Sequence, residues 1–124
     1  MENGILLWRD IFEISRKVCR KFGLHYGKIE PETRKLSHMY GECQPCDRCA
    51  YTPHITDANC KHKIILIRIH QLHRPRRPLA TRTIIDTLAH ELAHLHPDCW
   101  EHGRAHRDFQ KEILDFIRSM GYKW

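Results

Sequence analysis

The chain has 124 residues and a formal net charge of +6, from 21 Lys and Arg against 15 Asp and Glu, with a pI of about 9.1. That length is one domain, spanning 1–124, with a single modest core, and its basic balance makes nucleic acid a plausible partner. No apolar run nears the roughly 18 residues of a membrane span, and Gly4-Ile5-Leu6-Leu7-Trp8 is too short for a signal-peptide core. The expectation is a protein that stays in the cytoplasm, or at the nucleoid or nucleus if it meets DNA.

From Trp8, the residues Ile11, Phe12, Ser15, Val18, Cys19 and Phe22 keep a helical stripe. Gly23 stands where a helix C-terminus takes its left-handed residue, which predicts a first helix over Trp8 to Phe22. His25 to Met39 has mixed polarity and Pro31, which suits an exposed strand followed by a turn.

A Cys-rich insertion follows at about 40–62. Cys43, Cys46 and Cys49 have C-x2-C-x2-C spacing, and Cys60 comes eleven residues after Cys49. Four thiolates suffice for a closed tetrahedral structural zinc, and His54 or His62 can replace one of them. The segment has few apolar residues with which to order itself, which favours a metal. In a reducing compartment such spacing points to metal more than to disulfides. Part of a ferredoxin-type iron–sulfur motif has the same spacing, although its usual fourth Cys-Pro is missing, so a cluster or unliganded thiols remain alternatives. Cys19 reads as core, and Cys99 as a bystander.

The clearest strand is Lys63 to His70, a β-branched run between turn signals. Next comes the proline-stiffened basic loop His73-Arg74-Pro75-Arg76-Arg77-Pro78. It is either a solvated connector or a phosphate contact through Arg74, Arg76 and Arg77.

His90-Glu91-Leu92-Ala93-His94 is an H-E-x-x-H pattern. Residues four apart share a helix face, so both imidazoles can hold one zinc ion while Glu91 reaches toward its water. Eleven histidines make a chance match a real competitor. Context argues against chance, because Ile84, Ile85, Leu88, Leu92 and Leu95 recur at three- and four-residue steps, as in a helix packed on a core. Thr81 or Thr83 is expected to cap that helix, and Pro97 to end it.

A catalytic zinc needs a third protein ligand and one open position. His102 is the favoured third ligand, because eight residues let the chain turn back over the metal and Gly103 permits close backbone approach. His106 is the alternative, with Asp98, Cys99 and Glu101 behind it. His96 lies on another side of the helix. Asp86, four residues before His90, reads either as an outer hydrogen-bond acceptor or as an ordinary exposed residue. Phe109, Ile113, Phe116, Ile117 and Met120 predict a closing helix from about Gly103 to Met120, ended by Gly121. With zinc bound, the pKa of its water falls to about 7, and Glu91 takes the proton and returns it to the leaving amine.

Asp86-Thr87-Leu88-Ala89-His90-Glu91-Leu92-Ala93-His94, then His102-Gly103, together with Tyr40-Gly41-Glu42-Cys43 leading to the strand Lys63 to His70, resemble the SprT-like (Spartan-type) zinc metalloproteases. The resemblance spans most of the chain from Trp8 onward. In that family an aromatic commonly stands four residues after the His of the His-Gly pair, where this chain has His106. The resemblance implies a zincin-like domain that cuts proteins bound to DNA, with the open edge of the strand Lys63 to His70 pairing with an extended substrate segment.

The reading is therefore a compact α+β zinc metallopeptidase: an N-terminal helix, a small antiparallel sheet, the metal helix and a C-terminal helix, with a zinc-stapled insertion. Its partners are a protein or peptide substrate and DNA, with no membrane and an oligomeric state the sequence does not specify. Competing readings are a non-catalytic zinc-containing nucleic-acid-binding module, and a zinc enzyme acting on small amides.

Overall fold

In helix α1 (Trp8–Phe22), Ile11, Ile14 and Val18 are fully buried, and the chain chemistry at each end explains the boundaries. Asp10 accepts the Leu7 N–H at 2.9 Å, satisfying a donor that the first turn leaves over. Gly23 closes the other end in the left-handed region at φ 67°, with its N–H on the Cys19 carbonyl. Phe12 departs from the expected stripe: it is exposed and packs on Trp8 at 5.9 Å, while Ile14 takes the core position.

The computed structural model describes residues 4–33, 40–46, 56–71 and 77–124. These form an α+β fold with three α-helices and one three-stranded sheet. The strands are β1 (Lys28–Pro31), β2 (Gly41–Gln44) and β3 (Ile64–Ile67), in the order β1-β3-β2. The sheet is mixed rather than antiparallel, since β2 runs against β3 while β1 runs parallel to it. A strand that lies between two others in sequence, and runs opposite to both, leaves those two pointing the same way.

Strand β3 is shorter than the predicted Lys63 to His70: the Arg68 N–H still donates to the Tyr40 carbonyl in register with β2, and beyond it His70 pairs instead with Pro78 in an isolated bridge. It is also the central strand, which explains its unbroken apolar run and corrects its expected role. Both of its edges are occupied, so among the described residues the unpaired edge beside helix α2 (Thr81–Ala93) belongs to β2. Strand β2 itself lies in the segment read as an irregular insertion. All four of its residues are half-buried, so no alternation marks it in the sequence.

Helix α2 (Thr81–Ala93) packs on β2 and β3 on one side and on the other helices on the other. Ile84, Ile85, Leu88, Ala89, Leu92 and Ala93 are its buried positions. Neither expected threonine caps it. Ala80 occupies that place, and the Thr81 hydroxyl donates instead to the Gly4 carbonyl at 2.7 Å. Past His94 the chain turns through a 3-10 segment (Pro97–Cys99), where His96 Nδ1 accepts the Asp98 N–H. Helix α3 (Arg104–Ser119) then returns along α2, burying His106, Phe109, Ile113 and Ile117. Phe22 meets Phe109 and Phe116 edge-on, tying α1 to α3.

The sheet and helix α2 touch at Gly41. A Cβ there would lie 2.6 Å from Thr87 Cγ2, 2.9 Å from the Leu66 carbonyl oxygen and 3.2 Å from Glu91 Cγ. Gly103, where close approach was expected, has nothing within 4 Å of such a Cβ, and its backbone is simply extended. Gly41→Ala is expected to cost about 1–3 kcal/mol by prising β2 from α2, whereas Gly103→Ala should stay within about 0.5 kcal/mol. Denaturant midpoints of the two variants check this contrast.

Candidate metal centre

Helical spacing places His90 and His94 on one face of α2, with ring centroids 5.0 Å apart. The outer nitrogen of each ring is already engaged. His90 Nδ1 lies 3.0 Å from Gln110 Oε1, and His94 Nδ1 lies 3.0 Å from the Cys99 carbonyl oxygen. Both partners are acceptors, so each Nδ1 carries the proton and each Nε2 keeps a lone pair.

His102 Nε2 sits 3.0 Å from His90 Nε2 and 3.2 Å from His94 Nε2. Imidazoles held 2.0–2.1 Å from a tetrahedral zinc place their nitrogens about 3.3 Å apart, so this donor set fits such an ion. His106 also brings a nitrogen within 4.8 Å of those of His90 and His94, so distance alone admits it as well. Its other contacts weigh against it. His106 is buried, its Nε2–H donates to the His90 carbonyl at 3.0 Å, and its ring stacks on His94 at 4.2 Å and 28°. An ion on His94 lies near the plane of that ring, and a ring stacked above it does not aim a lone pair into the same plane.

Glu91 is buried at 4% exposure, and its Oε2 has no hydrogen-bond partner among the described residues. Its Oε1 lies 3.9 Å from His90 Nε2. Burial, assisted by the nearby Glu42 carboxylate, pushes Glu91 up to about 8. Burial also holds His90 below its ordinary value, and together with His106 it brings His94 down to about 4, which keeps both rings neutral as metal binding requires. These groups line a cleft of about 570 Å³ walled by Tyr40 and by Gly41 to Cys43 of β2 on one side and by Trp100 and His102 on the other.

Asp86 also lines the cleft but reaches Arg82, at 3.7 Å, rather than a histidine. The outer acceptor is Gln110, twenty residues beyond His90 on another helix, a position no local spacing marks. Cys99 serves the site through its carbonyl, while its thiol is buried and pushed up by burial.

The cysteines divide. Cys46 and Cys60 meet with Sγ atoms 3.6 Å apart, and the Cys46 N–H donates to Cys60 Sγ at 3.5 Å. Cys43 instead lines the histidine cleft from β2, its thiol pushed up to about 12 by burial and then by the Glu91 charge. The described cysteines do not form a group of three with ligand spacing. Cys49 and His54 lie outside the described residues, as do Arg74 and Arg76 of the basic loop. Arg77 is exposed, and its carbonyl accepts the Gln71 N–H. Cys19 lies on α1 against the core, its thiol pushed up to about 12 by burial.

In the unfolded chain the Glu91 carboxyl ionises from about 4.5 upward, whereas in the folded metal-free protein it stays protonated to about 8. Rising pH through that window therefore favours the unfolded chain. Relative to Glu91→Gln, metal-free wild type should lose on the order of 1 kcal/mol of stability per pH unit across it. Denaturant midpoints measured at several pH values check this, and a constant difference would contradict the buried, protonated carboxyl.

Comparison with known proteins finds no family model, no curated protein and no solved structure that matches this chain.

Proposed function

We propose that this chain is a zinc-dependent peptidase in which His90, His94 and His102 hold the ion and Glu91 is the general base. The observation that carries the reading is the partnerless, buried Glu91 oxygen beside three converging imidazole nitrogens. Burying a carboxylate oxygen without a partner is costly, and such cost is tolerated where the group serves a reaction. The SprT-like pattern in the sequence points the same way.

A zinc ion bound there supplies Lewis acidity toward a water and a carbonyl oxygen. Glu91 accepts the proton of the attacking water and delivers it to the leaving amine, a cycle that suits a carboxyl already raised toward neutrality. His90 and His94 are held neutral and oriented by their Nδ1 partners. An extended substrate backbone adds to the edge of β2 (Gly41–Gln44) that is unpaired among the described residues and passes along the cleft. The net charge of +6 favours substrates bound to DNA.

A second zinc ion at the insertion belongs to the same reading. Thiolates held about 2.3 Å from a tetrahedral zinc lie about 3.8 Å apart, close to the 3.6 Å between Cys46 and Cys60 Sγ.

Glu91→Gln is expected to keep its zinc and lose about 100-fold or more in cleavage of casein; a variant that still cuts removes Glu91 from the mechanism. His102→Ala should lose the ion from the histidine centre, whereas His106→Asn should retain it and lose thermal stability, both read by elemental analysis and melting. Purified wild type should carry two zinc ions, and the double change Cys46→Ser with Cys60→Ser should leave one with peptidase activity present. Stimulation of casein cleavage by single-stranded DNA separates a DNA-directed protease from a zinc enzyme of small amides. DNA binding with no cleavage at any concentration would favour the non-catalytic module instead.

A further inference from the structure

Helix α3 reaches the site with two side chains one turn apart, His106 and Gln110, which share a face. Both act on His90. The His106 Nε2–H holds its carbonyl at 3.0 Å, and Gln110 Oε1 lies 3.0 Å from its Nδ1. One ligand of the centre is thus fastened by backbone and by ring to a helix that carries no residue of the H-E-x-x-H pattern.

A neutral imidazole has one proton and two nitrogens, so the nitrogen that keeps the proton decides which lone pair a metal receives. Were Nδ1 left without an acceptor, the proton would be free to sit on Nε2, the atom 3.0 Å from His102 Nε2. For His94 the choice is made by a peptide carbonyl, that of Cys99, which no side-chain substitution removes. For His90 it is made by a side chain. The geometry points to Gln110 as the positioning residue that fixes the tautomer and ring angle of His90 for metal binding, through the oxygen of its amide.

This inference rests on the metal centre proposed above, and on the acceptor atom rather than the bulk of the side chain. Two near-isosteric changes separate those properties. Gln110→Met keeps length and packing but offers no oxygen, whereas Gln110→Glu offers acceptors at both terminal positions. Loss of an outer hydrogen bond to a metal-binding histidine typically costs 10–100-fold in affinity, and a carboxylate partner raises ligand basicity.

The experiment is zinc affinity by competition with a chelator of known strength, for wild type and both variants, alongside thermal unfolding of each in metal-free form. Gln110→Met is expected to bind zinc about 10–100-fold more weakly, and Gln110→Glu to bind as tightly as wild type or more so, with metal-free melting temperatures alike. Unchanged affinity in Gln110→Met would overturn the role. So would equal losses in both variants, which would make Gln110 a packing residue only. Wild-type protein that binds no zinc would overturn the metal centre itself.

Discussion

An imidazole that offers its Nε2 lone pair carries its proton on Nδ1, and in this fold that proton finds an acceptor twice within one helical turn. The two answers differ in kind. At His94 the acceptor is the Cys99 carbonyl, brought round by the 3-10 segment that follows the metal helix within a few residues. At His90 it is Gln110, which exists at that point only because α3 folds back along α2. Aromatic contacts from Phe22 to Phe109 and Phe116 hold α3 in turn against α1. Packing far from the cleft therefore sets the protonation pattern inside it.

The opposite wall obeys a steric constraint. Strand β2 lies so close to α2 that only a hydrogen fits at position 41, and the same closeness brings Glu42 near enough to raise the Glu91 carboxyl. A neighbouring carboxylate and a dry setting work in one direction on Glu91, while the histidines beside it are pressed toward neutrality by the same burial. Glu91 and the histidines thus share one environment, which raises the carboxyl and keeps the imidazoles neutral.

Much of this could be read from the chain. Helix α1 was legible at both ends because an apolar stripe is followed at once by a glycine that adopts φ 67°. The metal helix and α3 announced themselves by the same periodicity. Strand β2 did not, since a four-residue strand half-buried on both faces carries no alternation. The direction of β1 was invisible for another reason: strand polarity depends on how the chain travels between strands, not on strand composition. Gly103 looked special because it follows His102, yet the glycines under steric pressure are Gly27, against the His62 backbone, and Gly41, against α2 and β3, and only the approach of a second segment reveals which ones matter. Gln110 had no signal at all, for a glutamine bordering the buried face of an amphipathic helix is ordinary until a histidine is found opposite it.

Lys63 shows what the cysteine-bearing insertion does for the rest of the molecule. The residue is 1% exposed, and its ammonium donates to the Ala58 and Cys60 carbonyls at 2.7 and 2.9 Å and lies 5.4 Å from the centre of the Trp100 ring. A buried cation is tolerable only while its dipoles stay in place. Trimming the insertion would leave this charge without two of its acceptors, beside the tryptophan that walls the cleft. The segment is consequently part of the smallest body that keeps the cleft intact, and shortening the protein must begin elsewhere.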